Sequence, residues 1–317
     1  MVKDSTIDIA GIPESNAGQL KVVDLSVCIV TYQARDWLHG CLESLYKNNK
    51  TSSLEVIVID NGSTDGIQEM LTLDYPDIQF TANKTNEGYT RPMNRSLGIA
   101  QGRYLMQLNP DTVILPEAFD QLISFMDQHP QVGICSPKVL NSDGTFQRQC
   151  RRGEPRPLAM LGYFFKLTKL FPENKALGGY LLEYLDEDAT SEVIAVSGSC
   201  MLIRKEVIDE IGNLDEQFFA YQEDTDYCLR ARQAGWEVYY YPQAKIIHYG
   251  GRGGTRVEPY RSIIEWHRSY WRLYKKHFAK EYFFIINWIY YLFMIAKLIV
   301  SLVVNLFRRE RYAGPKR

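Results

Sequence analysis

The sequence predicts an α/β fold, an open and mostly parallel sheet with helices on both faces, and three observations carry that reading. Short apolar runs ending in polar residues recur along the chain, as buried parallel strands do. Segments with helical apolar spacing alternate with them, the signature of strand–helix–strand units. The 317 residues are 45% hydrophobic and 23% charged, ordinary globular proportions that suit one large domain plus an appendage.

The elements follow in order. Leu25–Thr31 is the first apolar run, and residues 36–46 place Trp37, Leu38, Cys41, Leu42 and Leu45 on one helical face. Leu54–Asp60 is a second strand, closed by the turn-forming Asn61-Gly-Ser-Thr-Asp65. A helix, a strand near residues 78–80 and a polar loop over 83–91 come next. A helix over about 92–100 then leads to the strand Tyr104–Leu108 and the loop Asn109-Pro-Asp-Thr112. Residues 150–185 break this alternation and are expected to be an insertion rather than core. A strand over about 194–204, a helix from Lys205, a helix after Asp226 and a strand from Glu237 into Ile246-Ile-His248 complete the domain, ahead of a Gly-rich loop at 250–254. In such sheets ligands bind beyond the carboxyl ends of the strands. Thr31-Tyr32, Asp60-Asn61 and Asn109/Asp111 should therefore converge on one site.

Charge and composition bound the partners. A formal net charge of −2 points away from nucleic acid. Six cysteines with no paired motif fit a reducing compartment. Residues 1–23 have no apolar core and read as a loose tail, not a signal peptide. Residues 24–255 form the main domain and 256–317 a helical, membrane-associating region. Within the latter, residues 282–307 carry a single formal charge, Lys297, and the basic Arg308, Arg309, Arg311, Lys316 and Arg317 follow. The stretch is long enough to span a bilayer. Yet at about 100° per residue Asn287, Lys297, Ser301 and Asn305 share an arc of roughly 80°. The segment is therefore expected to lie in the interface on the cytoplasmic face, apolar side down, with the basic residues on anionic lipid. The alternative is a helix packed on protein.

Three places carry candidate chemistry. Asp111 follows an apolar strand, where a carboxylate suits Mg²⁺ or Mn²⁺, although a Pro-containing turn also accounts for it. Glu223-Asp-Thr-Asp226 packs acids behind the aromatic Phe218, Phe219 and Tyr221, which suits a general base and equally a helix start. His248 stands at a strand end before the glycines, a place for a ligand or for a structural histidine.

Together the segments Ser26–Tyr32, Val56–Asp65, Asn86–Asn94, Leu108–Thr112, Ser197–Arg204, Phe218–Arg230 and Pro242–His248 resemble, in order, those of the family 2 inverting glycosyltransferases. The resemblance covers roughly residues 25–254. It implies a GT-A type fold and a nucleotide-sugar donor, UDP- or dTDP-linked, held by Thr31, Tyr32, Asp60, Asn61, Gly88, Arg91, Asn94, Asn109 and Asp111. Asp60 would read a uracil or thymine ring. Asp111 and His248 would hold Mg²⁺ or Mn²⁺, Asp224 would be the catalytic base, and Tyr221 and Glu223 would face the acceptor. Where the family often has Asp-x-Asp this chain has Asn109, a poorer partner for a cation, expected instead to meet ribose or water. The Gln-x-x-Arg-Trp signature of processive members is missing, which implies one sugar per encounter. The Asn-Pro-Asp motif and residues 268–277 look closest to bacterial rhamnosyltransferases. A saccharide or lipid-linked saccharide would be the acceptor, in cell-surface polysaccharide synthesis, with the oligomeric state left open. Two other functions stay open: a sugar nucleotidyltransferase of similar fold, against which stands Thr31-Tyr-Gln-Ala34 in place of a Gly-rich phosphate loop, and an inactive sugar-binding module.

Overall fold

The computed structural model describes residues 23–50, 53–171 and 174–307. The expected tail, bar its last residue, and the basic stretch after 307 lie outside these residues. The strands are β1 (Leu25–Thr31), β2 (Leu54–Asp60), β3 (Gln79–Ala82), β4 (Tyr104–Leu108), β5 (Thr112–Ile114), β6 (Val132–Leu140), β7 (Arg151–Arg152), β8 (Ser191–Glu192), β9 (Ala195–Val196), β10 (Cys200–Arg204) and β11 (Glu237–His248). The α-helices are α1 (Arg35–Asn48), α2 (Ile67–Asp74), α3 (Thr90–Ile99), α4 (Ala118–Gln128), α5 (Pro157–Phe164), α6 (Lys175–Gly178), α7 (Lys205–Ile211), α8 (Glu223–Gln233), α9 (Gly254–Val257), α10 (Pro259–His277) and α11 (Phe284–Leu306).

The main sheet runs β3-β2-β1-β4-β10-β6-β11-β5, with β8 also on β11. Every residue of β1 is buried, as a strand covered on both faces requires. The pairs β2–β3, β1–β2, β1–β4 and β6–β11 are parallel, whereas β10 runs antiparallel to both β4 and β6. Consequently the carboxyl ends of β1, β2, β4 and β11 and the amino end of β10 share one edge. The expected strand over 194–204 is broken at Ser197-Gly-Ser199 into β9 and β10, and that break stands at the same edge.

Two expectations change. Residues 150–185 are not peripheral: Cys150 joins the main core, Arg151 and Arg152 are buried, and β7 pairs with β9. Tyr180 and Met160 form a second core with Leu229, Tyr270, Leu273, Tyr274, Tyr290 and Met294. Helices α10 and α11 are thereby packed onto the main domain, past the expected boundary at 255. The polar arc of α11 also faces inward. Asn287 accepts from Tyr274 Oη (2.5 Å) and donates to the Ala279 carbonyl (2.9 Å), Lys297 Nζ lies 4.0 Å from the Trp266 ring centroid, and Asn305 is buried. What α11 shows to the outside is apolar: Ile285, Trp288, Ile289, Leu292, Ile295 and Ile299 are all exposed. By length and composition this helix is able to cross a membrane.

Candidate active site

A cavity of about 430 Å³ opens at the shared strand edge, within the size range of small-ligand sites. Of the expected residues it gathers Thr31, Tyr32, Asn61, Gly88, Asn109, Asp111, Tyr221, Glu223, Asp224 and His248. Three others stand elsewhere. Arg91 is exposed, with its Nε 3.5 Å from Glu216, and is not in the cavity lining. Asn94 is buried as a strut: it donates to the Leu214 carbonyl and accepts from the Leu214 N–H, which ties α3 to the loop before Phe218. Asp60 lies off the lining, and its carboxylate accepts from the backbone N–H and hydroxyl of Ser63, which holds the turn after β2.

The strand-end side is organised around loops. Asn61 donates to the Gly88 carbonyl (2.6 Å) and accepts from Asn83 Nδ2 (2.9 Å), clamping residues 83–88 over the cavity. Gly88 has a φ of +89°, and a Cβ there would lie 2.5 Å from the Phe219 carbonyl oxygen, so a glycine is needed. The Thr31 hydroxyl is buried in the lining without a partner among the described residues.

Asp111 and His248 meet because β5 pairs with β11, Thr112 opposite His248. Asp111 Oδ1 lies 3.2 Å from His248 Nε2, and Oδ2 accepts from the Arg252 N–H. Burial pushes the Asp111 carboxyl up, but the charge and hydrogen bond of His248 and the Arg252 N–H outweigh it and hold it below the usual range. Behind the ring, Gln147 donates its amide to Asn141 Oδ1 and to the His248 carbonyl, which turns its Oε1 onto His248 Nδ1 at 2.8 Å. Nδ1–H therefore donates to Gln147, and Nε2 faces the carboxylate. A carboxylate oxygen and an imidazole nitrogen 3.2 Å apart are also spaced like neighbouring ligands at about 2.1 Å from one hard cation. The pair fits Mg²⁺ or Mn²⁺, with other positions left to water and substrate oxygens; among the described residues no third His, Cys, Asp or Glu joins it. Asn109 Nδ2 sits 3.2 Å from His248 Nε2, so the amide that replaces the expected acid supports the histidine.

On the opposite side Tyr221 and Gln222 both take left-handed φ angles, 69° and 63°, an unusual pair for residues with side chains. This turn starts α8 at Glu223 and puts three acids at its positive end. Their fates differ. Asp226, fully buried, is held by Arg230, Lys276 and His277, so it fastens α10 to α8. Asp224 Oδ2 accepts from Arg152 (2.6 Å) and the Gly198 N–H (2.8 Å), and Oδ1 from the Thr225 N–H (2.6 Å). Glu223 Oε2 has no partner among the described residues, and burial, then the charge of Asp224, raises its carboxyl well above the usual range.

Sequence reasoning missed Arg152, Gln147, Arg252, Arg261 and Glu265. The Gly-rich loop was a signal for Arg252, which it carries; the others sit in segments without motifs. Arg252 stacks over Trp37 (4.9 Å) and Arg261 over Phe219 (4.0 Å), both in the lining.

Comparison with known proteins bears on the family and the fold. Residues 178–309 match the model of Glycosyl transferase family group 2. The N-acetylglucosaminyl-diphospho-decaprenol L-rhamnosyltransferase of Mycobacterium tuberculosis is 29% identical over 256 residues, 77% of this chain and 82% of its own. The low-salt glycan biosynthesis hexosyltransferase Agl10 of Haloferax volcanii is 29% identical over 244 residues, 76% of this chain and 72% of its own. Among solved structures, Staphylococcus aureus TarS superposes with a TM-score of 0.51 at 17% identity, covering 76% of this chain and 38% of that one. The mannosyltransferase PcManGT from Pyrobaculum calidifontis, in complex with GDP-Man and Mn²⁺, gives 0.53 at 14% identity, covering 81% and 64%. The chain thus spans under two thirds of either solved neighbour, and these likenesses speak for the GT-A fold. Residues 26–212, more than half of the chain, match the model of Glycosyl transferase family 2, and the chain belongs to that family of transferases.

Proposed function

We propose that the chain moves one sugar, with inversion, from a pyrimidine nucleotide-sugar to a hydroxyl of a saccharide carried on lipid. The observation that carries this reading is one cavity with a carboxylate–imidazole pair at the strand ends and a buried acid pair, Glu223 and Asp224, opposite. Rhamnose is the proposed sugar, and a diphospho-lipid saccharide the proposed acceptor, on the likeness to the mycobacterial enzyme.

Thr31 and Tyr32 hold the nucleotide, while Asp60 and Asn61 shape the turn and loop around it. Asp111 and His248 would hold Mg²⁺ or Mn²⁺, which when bound offsets charge on the diphosphate leaving group. Arg252 and Arg261 add fixed positive charge from the chain itself. The acceptor hydroxyl gives its proton to Asp224, its oxygen bonds to the anomeric carbon, and the bond from that carbon to the diphosphate breaks on the opposite face. Arg152 and the Gly198 N–H fix the carboxylate for this task, and Glu223 positions the attacking hydroxyl.

Helix α11 is proposed to rest on the cytoplasmic membrane surface. Its Asn287 and Lys297 side chains are engaged by α10, and its exposed row is apolar, which lipid would cover.

Nucleotide release from UDP-, dTDP- and GDP-sugars, with and without acceptor, tests the reaction. Acceptor-dependent release of a pyrimidine nucleotide is expected; release of pyrophosphate from a nucleoside triphosphate would instead mark nucleotidyl transfer. Detergent-free fractionation tests the membrane reading, which fails if the full chain is soluble.

A further inference from the structure

Helix α10 runs along the cavity. Glu258, Arg261, Ser262, Glu265, Trp266 and Tyr270 all line it, spaced so that one face of the helix does so. At 1.5 Å per residue the row extends about 18 Å. Its first end belongs to the strand-end side, since Glu258 hydrogen-bonds Tyr32 and Asn86. Its far end belongs to the acid side: Tyr270 Oη pairs with Tyr180 Oη at 2.5 Å, close to the Arg152 that binds Asp224.

Glu265 stands in the far half of this row. It is 7% exposed, and its Oε1 accepts from Arg268 at 2.7 Å, while its buried Oε2 has no partner among the described residues. A buried carboxylate oxygen left unpaired is costly, so a group that occupies the cavity and donates a hydrogen bond would be held there. The neighbouring wall is aromatic. Trp266 and Tyr270 have ring centroids 4.1 Å apart, Tyr163 and Tyr180 5.1 Å, and all four line the cavity. Flat rings that cover the C–H face of a sugar, beside a carboxylate that accepts from its hydroxyls, make a saccharide subsite.

We infer that Glu265, beside Trp266, reads a hydroxyl of the acceptor saccharide and so determines acceptor specificity separately from the acid pair. This rests on the glycosyl-transfer reading. Helix α10 then serves both substrates, its first turn next to the nucleotide side and its second to fourth turns on the acceptor.

The test is steady-state kinetics of the full chain with N-acetylglucosaminyl-diphospho-farnesol, its monodeoxy analogues and the donor that turns over in the nucleotide screen. Glu265→Gln is expected to raise the acceptor KM about ten- to a hundredfold, the worth of a hydrogen bond to a charged group, with the donor KM within twofold. Arg268→Gln, which removes the ion pair but not the free oxygen, should move the acceptor KM less than threefold. One monodeoxy analogue should cost the wild type a similar factor and cost Glu265→Gln nothing further. An unchanged acceptor KM in Glu265→Gln, or an equal rise in Arg268→Gln, overturns the inference while wild-type transfer still supports the glycosyltransferase. If Glu265→Gln does not fold, the wild-type series decides: no single hydroxyl worth tenfold overturns it. A wild type that turns over no nucleotide-sugar sinks the underlying reading instead.

Discussion

The two sides of the cavity are assembled differently. On the strand-end side Thr31 ends β1, and Asn61, Asn109 and Asp111 lie within three residues after β2 and β4, each inside a short contiguous segment. On the other side Tyr163, Tyr180, Glu265, Trp266 and Tyr270 come from α5, the turn after α6, and α10, which the second core brings together, and Arg152 comes from β7, placed by its pairing with β9. Parallel strands deliver their ends to one edge whatever else the chain does. The helical wall depends on packing between segments far apart in sequence. The first side suits a donor whose diphosphate is common to many sugars, and the second an acceptor that varies.

Substitutions that separate the two sides test this division. The largest effect is expected at Asp224→Asn: a fall in kcat of about a hundred- to ten-thousandfold, with donor affinity by calorimetry within about threefold. The change also leaves Arg152 buried without its counter-charge, so a lower melting temperature is expected alongside. Near-normal turnover would remove Asp224 from the chemistry.

On the strand-end side, excess EDTA should abolish transfer. Gln147→Ala should raise the Mn²⁺ concentration for half-maximal activity about ten- to a hundredfold, because Gln147 fixes the His248 tautomer from behind the ring. Acceptor KM should barely move. An unchanged metal requirement in Gln147→Ala would leave His248 as a structural partner of Asp111.

A smaller effect concerns stability. The Glu223 carboxyl is raised by burial and by Asp224, so the native state keeps a proton that the unfolded chain has released. The unfolded state then binds fewer protons, and stability falls as pH rises from about 4.3 through the raised native value. Glu223→Gln should match the wild type near pH 4 and melt at least about 2 °C higher at pH 8. A parallel pair of melting curves across that range would show that Glu223 is not strained.

Local pattern made β1, α1, β2 and β4 legible, since each has its own apolar period and turn signals. The same pattern placed Asp111 and His248 at strand ends, though not Gln147 behind them. Arg152 was illegible because its segment has no period: it is core through its pairing with β9 and through Asp224, neither of which leaves a local trace. The polar arc of α11 was visible in the sequence, but not its direction. Whether Asn287 and Lys297 face water or Tyr274 and Trp266 is decided by the partner helix.

The smallest effect is expected where motif and geometry disagree. Arg91 lies within the Asn86–Asn94 segment that carries the family resemblance, which implies that it helps hold the donor. In the fold it follows the first residue of α3 and turns outward, where its Nε is 3.5 Å from Glu216 and the two side chains are 63% and 51% exposed. An exposed pair of this kind contributes about 0–1 kcal/mol. Arg252, by contrast, lines the cavity, donates its N–H to Asp111 and lays its guanidinium over Trp37. Arg91→Ala should therefore change donor KM less than twofold, and Arg252→Ala should raise it about tenfold, as loss of a charge-assisted contact does. Donor titrations of the two variants read this directly. If Arg91→Ala has the larger effect, α3 and its loop must swing inward when the donor binds, and the strand-end side is less pre-formed than its strands imply.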